Sequence, residues 1–498
     1  MASTLDIAHY PGNIINNELV PSTTTRHSID PSTGEPLWEV PVATKDDLNN
    51  AVKYAREAFT SWSTTTFRQR AEMLLRYADV IEANREPLER LLTMEQGKPL
   101  SLSKSVELGR KGTGEEGNWG GREHTELDMT LTWLRAFATM EIRDEVLEDT
   151  AERTVYSTFP PLGVCGGIVP WNWPVLLGLG KLGPALVTGN CFLMKPSPYT
   201  PYCDLQLGAL AASVFPPGVV QVLSGDDDLG PWMTEHPGID MITFTGSIPT
   251  GKRVAASCAR TLKRCVLELG GNDACIVCDD VALERCVPKI ATLAFLNSGQ
   301  ICMLPKRIYV HERIYDAFRD AMVDFTREHV RTGGGFEDGV VVGPVQNRMQ
   351  FESVKEMWYR RESVTPLAKQ RLPPHPLHRR QPPDTSRIVI EEPFGPIVPL
   401  LKWRDEDEVL MRANNDVTGL GASVWSRDVA RAERMARRLS AGSVWVNSHF
   451  DVAPNVPFGG HKESGIGMEW GVMGLKNFTK PRSLWVWKNV FDDIPASG

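Results

Sequence analysis

The sequence predicts an α/β protein: two domains built on mostly parallel sheets, with a small antiparallel ribbon attached. Three observations predict it. The chain has 498 residues, more than one ordinary core fills. From about residue 162, short apolar runs ("GVCGGIVP", "NCFLMKPS", "VVQVLSG", "MITFTGS", "RCVLELGG", "ACIVC") alternate with helical stretches, as βα units around a parallel sheet do. A second series of the same kind ("KRIYVHERIYDAFRDAMVDF", "IVPLLKW", "GASVWS", "AGSVWVNS") follows Gly270 and Gly271, which places a domain boundary at that glycine pair.

Taken in order, residues 46–110 read as helices. "DDLNNAVKYAREAFTSW" and "RQRAEMLLRYADVIEANREPLERLLTMEQ" repeat apolar residues at three- and four-residue spacing. "MEIRDEVLEDTAERTVYSTFPP" reads as a polar two-stranded ribbon and, with the late "SLWVWKNVF", is a candidate for joining subunits. "VLLGLGKLGPALVTGNCFLMK" is the most apolar stretch, but Lys181, Gly183 and Pro184 interrupt it, so it is not expected to span a membrane. "FTGSIPTG" (Phe244–Gly251) joins an apolar run to a helical pattern, a place where free N–H groups and the helix dipole favour an anion. An ordinary strand-to-helix turn would look the same.

Composition narrows the class. The chain is 42% hydrophobic and 23% charged, with a net charge of −8, which disfavours a broad nucleic-acid or anionic-membrane surface. The first residues show no basic-then-apolar secretory pattern and "IPASG" matches no lipidation or peroxisomal signal, so a cytoplasmic location is expected. Nine cysteines, an odd number, fit reduced thiols. Cys275 and Cys278 form C-x-x-C, yet on a strand residues three apart face opposite sides, so no metal or redox pair is expected there. No metal site is expected elsewhere either.

Cys302 is different. It sits in "FLNSGQICMLPKR", behind Asn297, Ser298, Gly299 and Gln300, in a polar turn and not in a core-filling run. A thiol in such a turn is a candidate nucleophile. Seven stretches then occur in order: "VPWNWP" (169–174), "KPSPYTP" (195–201), "FTGS" (244–247), "LELGGND" (267–273), "NSGQIC" (297–302), "EEPFGP" (391–396) and "PFGGHKESGIG" (457–467). Their order and spacing closely resemble the NAD(P)-dependent aldehyde dehydrogenase superfamily, over nearly the whole chain.

The resemblance implies a Rossmann-like NAD(P)-binding domain (1–139 and 161–269), an α/β catalytic domain (270–480) and an oligomerisation ribbon (140–160 and 481–498). It implies that Cys302 attacks the aldehyde, with the Asn172 amide and the Cys302 N–H stabilising the oxyanion. Glu268 matches the general base for thioester hydrolysis, and Lys181 and Glu469 match positions linked to proton relay. For the cofactor, Trp171 and Ser247 would lie at the pyrophosphate and Lys195 at the adenosine ribose. Phe244, Gly246, Thr250 and Gly251 would shape the turn. Leu269 and Gly270 would approach the nicotinamide amide, Glu392 its ribose and Phe394 its ring. NAD-preferring relatives often carry Glu three residues after the lysine; here Pro198 stands there, beside Ser197, so the expected cofactor is NAD or NADP. Trp173, Phe295, His449 and Phe450 are expected in an aldehyde tunnel. A homodimer or homotetramer is expected, with no nucleic-acid or membrane partner.

Two stretches depart from the pattern. Val106–Leu127 carries six glycines between Gly109 and Gly121 and reads as an inserted loop, since each would cost about 1 kcal/mol in a helix. Trp358–Pro383 carries six prolines and a basic excess, poor material for a paired strand. They keep open a second reading, a catalytically weakened binding or structural protein. Acyl transfer to coenzyme A is a third, against which Glu268 argues.

Overall fold

The computed structural model describes residues 12–100, 125–359 and 377–488. Its first sheet has eight strands. Five are parallel, in the spatial order Arg264–Leu269, Met241–Gly246, Val164–Ile168, Cys191–Lys195 and Val220–Val222. Gly465–Ile466 extends one edge antiparallel, and the hairpin Asn13–Ile15 with Glu18–Val20 extends the other. The chain starts at Val164–Ile168, winds outward to Val220–Val222, then returns to Met241–Gly246 and winds the other way. That reversal opens a crevice beyond the carboxyl ends of the two central strands, where ligands of open α/β sheets bind.

Local chemistry explains the helices. Thr44 and Thr66 each close a capping box, with Asp47 and Gln69, at the starts of Lys45–Trp62 and Phe67–Ala83. Pro174 opens the helix Pro174–Val187, every residue of which is buried, so the apolar run expected not to span a membrane is an interior helix followed by a strand. No described helix is long and apolar enough to cross a membrane.

Gly270 and Gly271 lead from this sheet into a second one of six parallel strands, ordered Leu377–Arg380, Ile397–Trp403, Arg307–His311, Ala274–Val277, Gly421–Trp425 and Ser443–Val446. Cys275 packs on one face with Ile290 and Phe295, and Cys278 on the other with Trp403 and Met435; both thiols are free.

The third sheet joins Glu145–Asp149, Arg153–Thr158 and Arg482–Trp487 antiparallel. The expected two-stranded ribbon therefore has a third strand, supplied from the late segment. Leu484, Trp485, Val486 and Trp487 on it are all exposed.

Two expectations need correction. Leu377–Arg380, inside the proline-rich stretch, does form a paired strand. It is short, proline-free and at the sheet edge, where only one side needs donors. Thr125–Leu127, assigned to the inserted loop, is instead the capped start of the helix Glu126–Phe137. The remainder of that loop (106–124) and residues 360–376 lie outside the described residues.

Candidate active site

After the helix Leu283–Phe295 the chain turns through Asn297 (φ 48°), Ser298 (φ 59°) and Gly299 (φ 73°). Two non-glycine residues in this region store about 1–3 kcal/mol each, so the surroundings must hold them. Asn297 Nδ2 donates to the Asn172 carbonyl at 3.1 Å, Ser298 Oγ to Gly343 O at 2.8 Å and Gln300 Nε2 to Asn297 O at 3.0 Å. Asn172 Nδ2 in turn donates to Gln300 O at 3.0 Å, which sets the amide against the Cys302 loop. A Cβ on Gly299 would strike the Gly395 carbonyl, and one on Gly271 would come within 2.6 Å of Cys302 O. The loop is thus clamped between the glycine pair and the Glu391–Pro396 segment, with Cys302 half-buried at its end.

Glu268 lies on Arg264–Leu269, between Thr245 and Gly465 on the neighbouring strands. It is buried, and neither carboxylate oxygen has a hydrogen-bond partner. Burial first, then the Glu469 carboxylate, push it up to about 8, against the pull of Lys181 and the nearby Cys302 thiol. Burial, then Glu268 and Glu392, hold the Cys302 thiol well above its ordinary value, while Lys306 draws it down.

Behind Glu268, Lys181 Nζ pairs with Glu469 Oε1 and donates to Thr245 Oγ1 at 2.7 Å, and Thr243 Oγ1 donates to Glu469 Oε1 at 3.2 Å. Lys181 and Glu469 are both buried, so this is not a surface ion pair.

On the other side, Glu392 Oε1 accepts from Lys306 Nζ at 2.9 Å, and that ammonium lies 5.0 Å from the Phe394 ring centre. Phe394 meets Trp171 edge-on at 5.3 Å. A Cβ on Gly270 would collide with Glu392 Oε2, so only glycine lets that carboxylate sit there. Burial raises the Glu392 carboxyl, and Lys306 opposes it.

At the crevice of the first sheet, Ser247 precedes the helix Ile248–Ala259; its hydroxyl bonds Thr250 Oγ1 at 3.1 Å and caps no backbone N–H. Gly246 leaves room for the Phe244 ring, and Gly251 for Leu269, whose side chain a Cβ would strike. Lys195 ends its strand buried, with Nζ 3.3 Å from Pro196 O; Ser197 is buried and Pro198 half-buried beside it.

Of the four residues expected in an aldehyde tunnel, two pack together. Trp173 and Phe450 do meet, with ring centres 6.2 Å apart. Phe295 packs in the core of the second sheet, and His449 is buried with Nδ1 2.8 Å from Ser423 Oγ and Nε2 3.6 Å from Asp273 Oδ2. Sequence reading missed Lys306, although it lies just past the Cys302 turn, and Thr243 and Thr245, whose alternate placement in "MITFTG" was the available signal.

The Aldehyde dehydrogenase family model matches residues 19–484. Aldehyde dehydrogenase LUC3 of a Fusarium species is 36% identical over 488 residues, covering 96% of this chain and 98% of the relative. The NAD+ complex of an aldehyde dehydrogenase from Bacillus cereus superposes with a TM-score of 0.89 at 31% identity, covering 97% of both chains. An NADP-dependent enzyme of Escherichia coli gives 0.88 at 28% identity, covering 97% of this chain and 99% of that one. Sequence and fold therefore agree along nearly the whole length: the chain belongs to the aldehyde dehydrogenase family and is an NAD(P)-dependent oxidoreductase of aldehydes.

Proposed function

We propose that Cys302 is the nucleophile, Glu268 the general base and the Asn172 amide an oxyanion donor. What carries the reading is Glu268, a buried carboxylate with no hydrogen-bond partner, set beside Cys302. Its pKa, raised to about 8, makes its carboxylate a stronger base than an ordinary one, in a fraction that grows as pH approaches 8. The Cys302 thiol first gives up its proton to solvent; the thiolate sulfur then bonds to the aldehyde carbon, the C=O pair moves onto oxygen, and the carbonyl oxygen becomes an oxyanion. Asn172 Nδ2 has two hydrogens; Gln300 O takes one, and the other is free for that oxyanion. The bound dinucleotide supplies the hydride acceptor. Loss of hydride from the former aldehyde carbon leaves a thioester on Cys302. Glu268 then takes a proton from water as it attacks, the C–S bond breaks, and the carboxylic acid leaves. Lys181, Glu469 and Thr245 form a buried polar cluster behind Glu268, the side towards which its proton would return through an intervening water.

The residues present fit a dinucleotide. The first-turn N–H groups at Ile248–Ala259 have no side-chain cap, which suits a pyrophosphate beside Trp171 and Ser247. Lys195 would reach the adenosine ribose, and Glu392 and Phe394 the nicotinamide end, near Leu269 and Gly270. In this reading residues 1–139 and 161–269 bind cofactor, 270–480 carry Cys302, and the ribbon of 140–160 and 481–498 joins copies of the chain. Nine free thiols fit a cytoplasmic protein.

The test is reduced-nicotinamide absorbance with NAD+ or NADP+ and an aldehyde panel, beside Cys302→Ala. Cofactor reduction that disappears in the variant is expected. Reduction that persists would remove Cys302 from the reaction.

A further inference from the structure

We infer that Arg26 is a second cationic residue at the adenosine end of the cofactor site, and that with Lys195 it selects a dinucleotide bearing a 2′-phosphate, NADP+ over NAD+. The inference rests on reading the crevice of the first sheet as the cofactor site.

The strand Thr25–Ile29 pairs with Pro36–Pro41 in a small ribbon outside both large sheets. Thr25, His27 and Ile29 are exposed, Arg26 is half-buried and Ser28 is buried, so Arg26 and Ser28 share the inward face. That face lies on the segment that continues from Lys195: Ser28 Oγ donates to Tyr199 O, and Ser28 N donates to Tyr202 Oη at 3.3 Å. Arg26, two residues along the same face, is therefore turned towards the side of the ribbon that meets this segment. Its Nε is buried and has no hydrogen-bond partner. Lys195 Nζ contacts only a neighbouring carbonyl, Pro196 O, among the hydrogen bonds of the described residues. Burial lowers the Lys195 ammonium to about 8, and the Arg26 charge is the next contributor.

Two cations close enough for one charge to act on the other, one of them with an unpartnered buried Nε, are mutually unfavourable until an anion joins them. A ribose bearing two hydroxyls does not supply that anion; a 2′-phosphate does, and a guanidinium matches its geometry. Pro198 removes the acceptor that would hold the hydroxyls and the charge that would repel the phosphate. Asp227 and Asp226 also act on Lys195, in the opposite sense, each less than Arg26 does, and both are exposed and screened by solvent.

The experiment is equilibrium binding of NADP+ and NAD+ to the full chain, read by quenching of tryptophan fluorescence, with Arg26→Leu, Arg26→Lys and Pro198→Glu variants. Wild-type protein should hold NADP+ about tenfold tighter, the scale of one charge-assisted contact. Arg26→Leu should lose most of that preference through NADP+ alone. Arg26→Lys should keep part of it, and Pro198→Glu should turn it towards NAD+. Circular dichroism on each variant establishes that a loss reflects binding and not unfolding. Equal or tighter binding of NAD+ by the wild type, or equal weakening of both nucleotides by Arg26→Leu, overturns the inference and leaves the cofactor site standing. Binding of neither nucleotide overturns the cofactor-site reading together with it.

Discussion

Glu268 shows what the interior does to a single residue. Burial and Glu469 favour its neutral form, so the acid is protonated in the folded state up to about pH 8, against an ordinary value of 4.5. Only the carboxylate can accept a proton, so turnover should rise with pH and level off above about 8, as a kcat profile would show. Stability moves the other way. The folded-state pKa lies above the unfolded one, so whatever the neutral acid contributes is present at low pH and lost as pH rises through about 8. Glu268→Gln should lower kcat about 100-fold and leave a rapid first turnover of cofactor reduction, because thioester formation precedes the step it blocks. Stopped-flow absorbance would show that burst, and its absence would place Glu268 earlier in the reaction. The sequence singled out Cys302 by its polar, glycine-containing turn, whereas Glu268, inside a strand, and Asn172 were proposed only through the resemblance of "LELGGND" and "VPWNWP" to family motifs. Lys306, which sits against Glu392 and draws the Cys302 thiol down, was hidden because its role comes from a residue 86 positions away.

At the scale of elements, the helix Pro174–Val187 decides where Asn172 and Trp173 stand, and a buried ion pair braces its start. Glu126 Oε1 accepts from Leu176 N at 3.0 Å, its other oxygen pairs with Lys98, and the Lys98 ammonium lies 4.0 Å from the centre of the Trp173 ring. Removing one partner of a buried pair leaves an uncompensated charge. Lys98→Met should therefore destabilise the protein by about 3 kcal/mol, seen as a lower urea midpoint, while Lys98→Met with Glu126→Gln should recover part of the loss. Unlike the all-buried, uncapped helix Pro174–Val187, Lys45–Trp62 and Phe67–Ala83 were readable from sequence because periodicity and caps are local. The three-residue strands Asn13–Ile15 and Glu18–Val20 and the edge strand Leu377–Arg380 were not, because a short strand is specified by the strand beside it. His449 bonds Ser423 and faces Asp273, partners 26 and more positions away that its own aromatic-rich stretch did not announce.

At the scale of the whole molecule, the ribbon Arg482–Trp487 departs most from what one chain would leave in water. Successive residues alternate faces, so Leu484 and Val486 share one side while Trp485 and Trp487 share the other. Arg153 covers the tryptophan side, with its guanidinium 4.9 Å from the Trp485 ring centre and 5.2 Å from that of Trp487. Val146 and Leu147, on the strand at the opposite edge of this ribbon, are exposed too. An apolar ribbon standing clear of its own core is stable when another surface covers it, and a second copy of the chain fits the proposed oligomer. Replacing Leu484 and Val486 with Lys acts on the side without a cation over it and leaves the backbone ladder to Arg153–Thr158 intact. The double variant should move the mass measured by light scattering towards the single-chain 55.4 kDa, with little change in circular dichroism. An unchanged oligomer would mean that the contact between copies lies elsewhere and that these side chains face water.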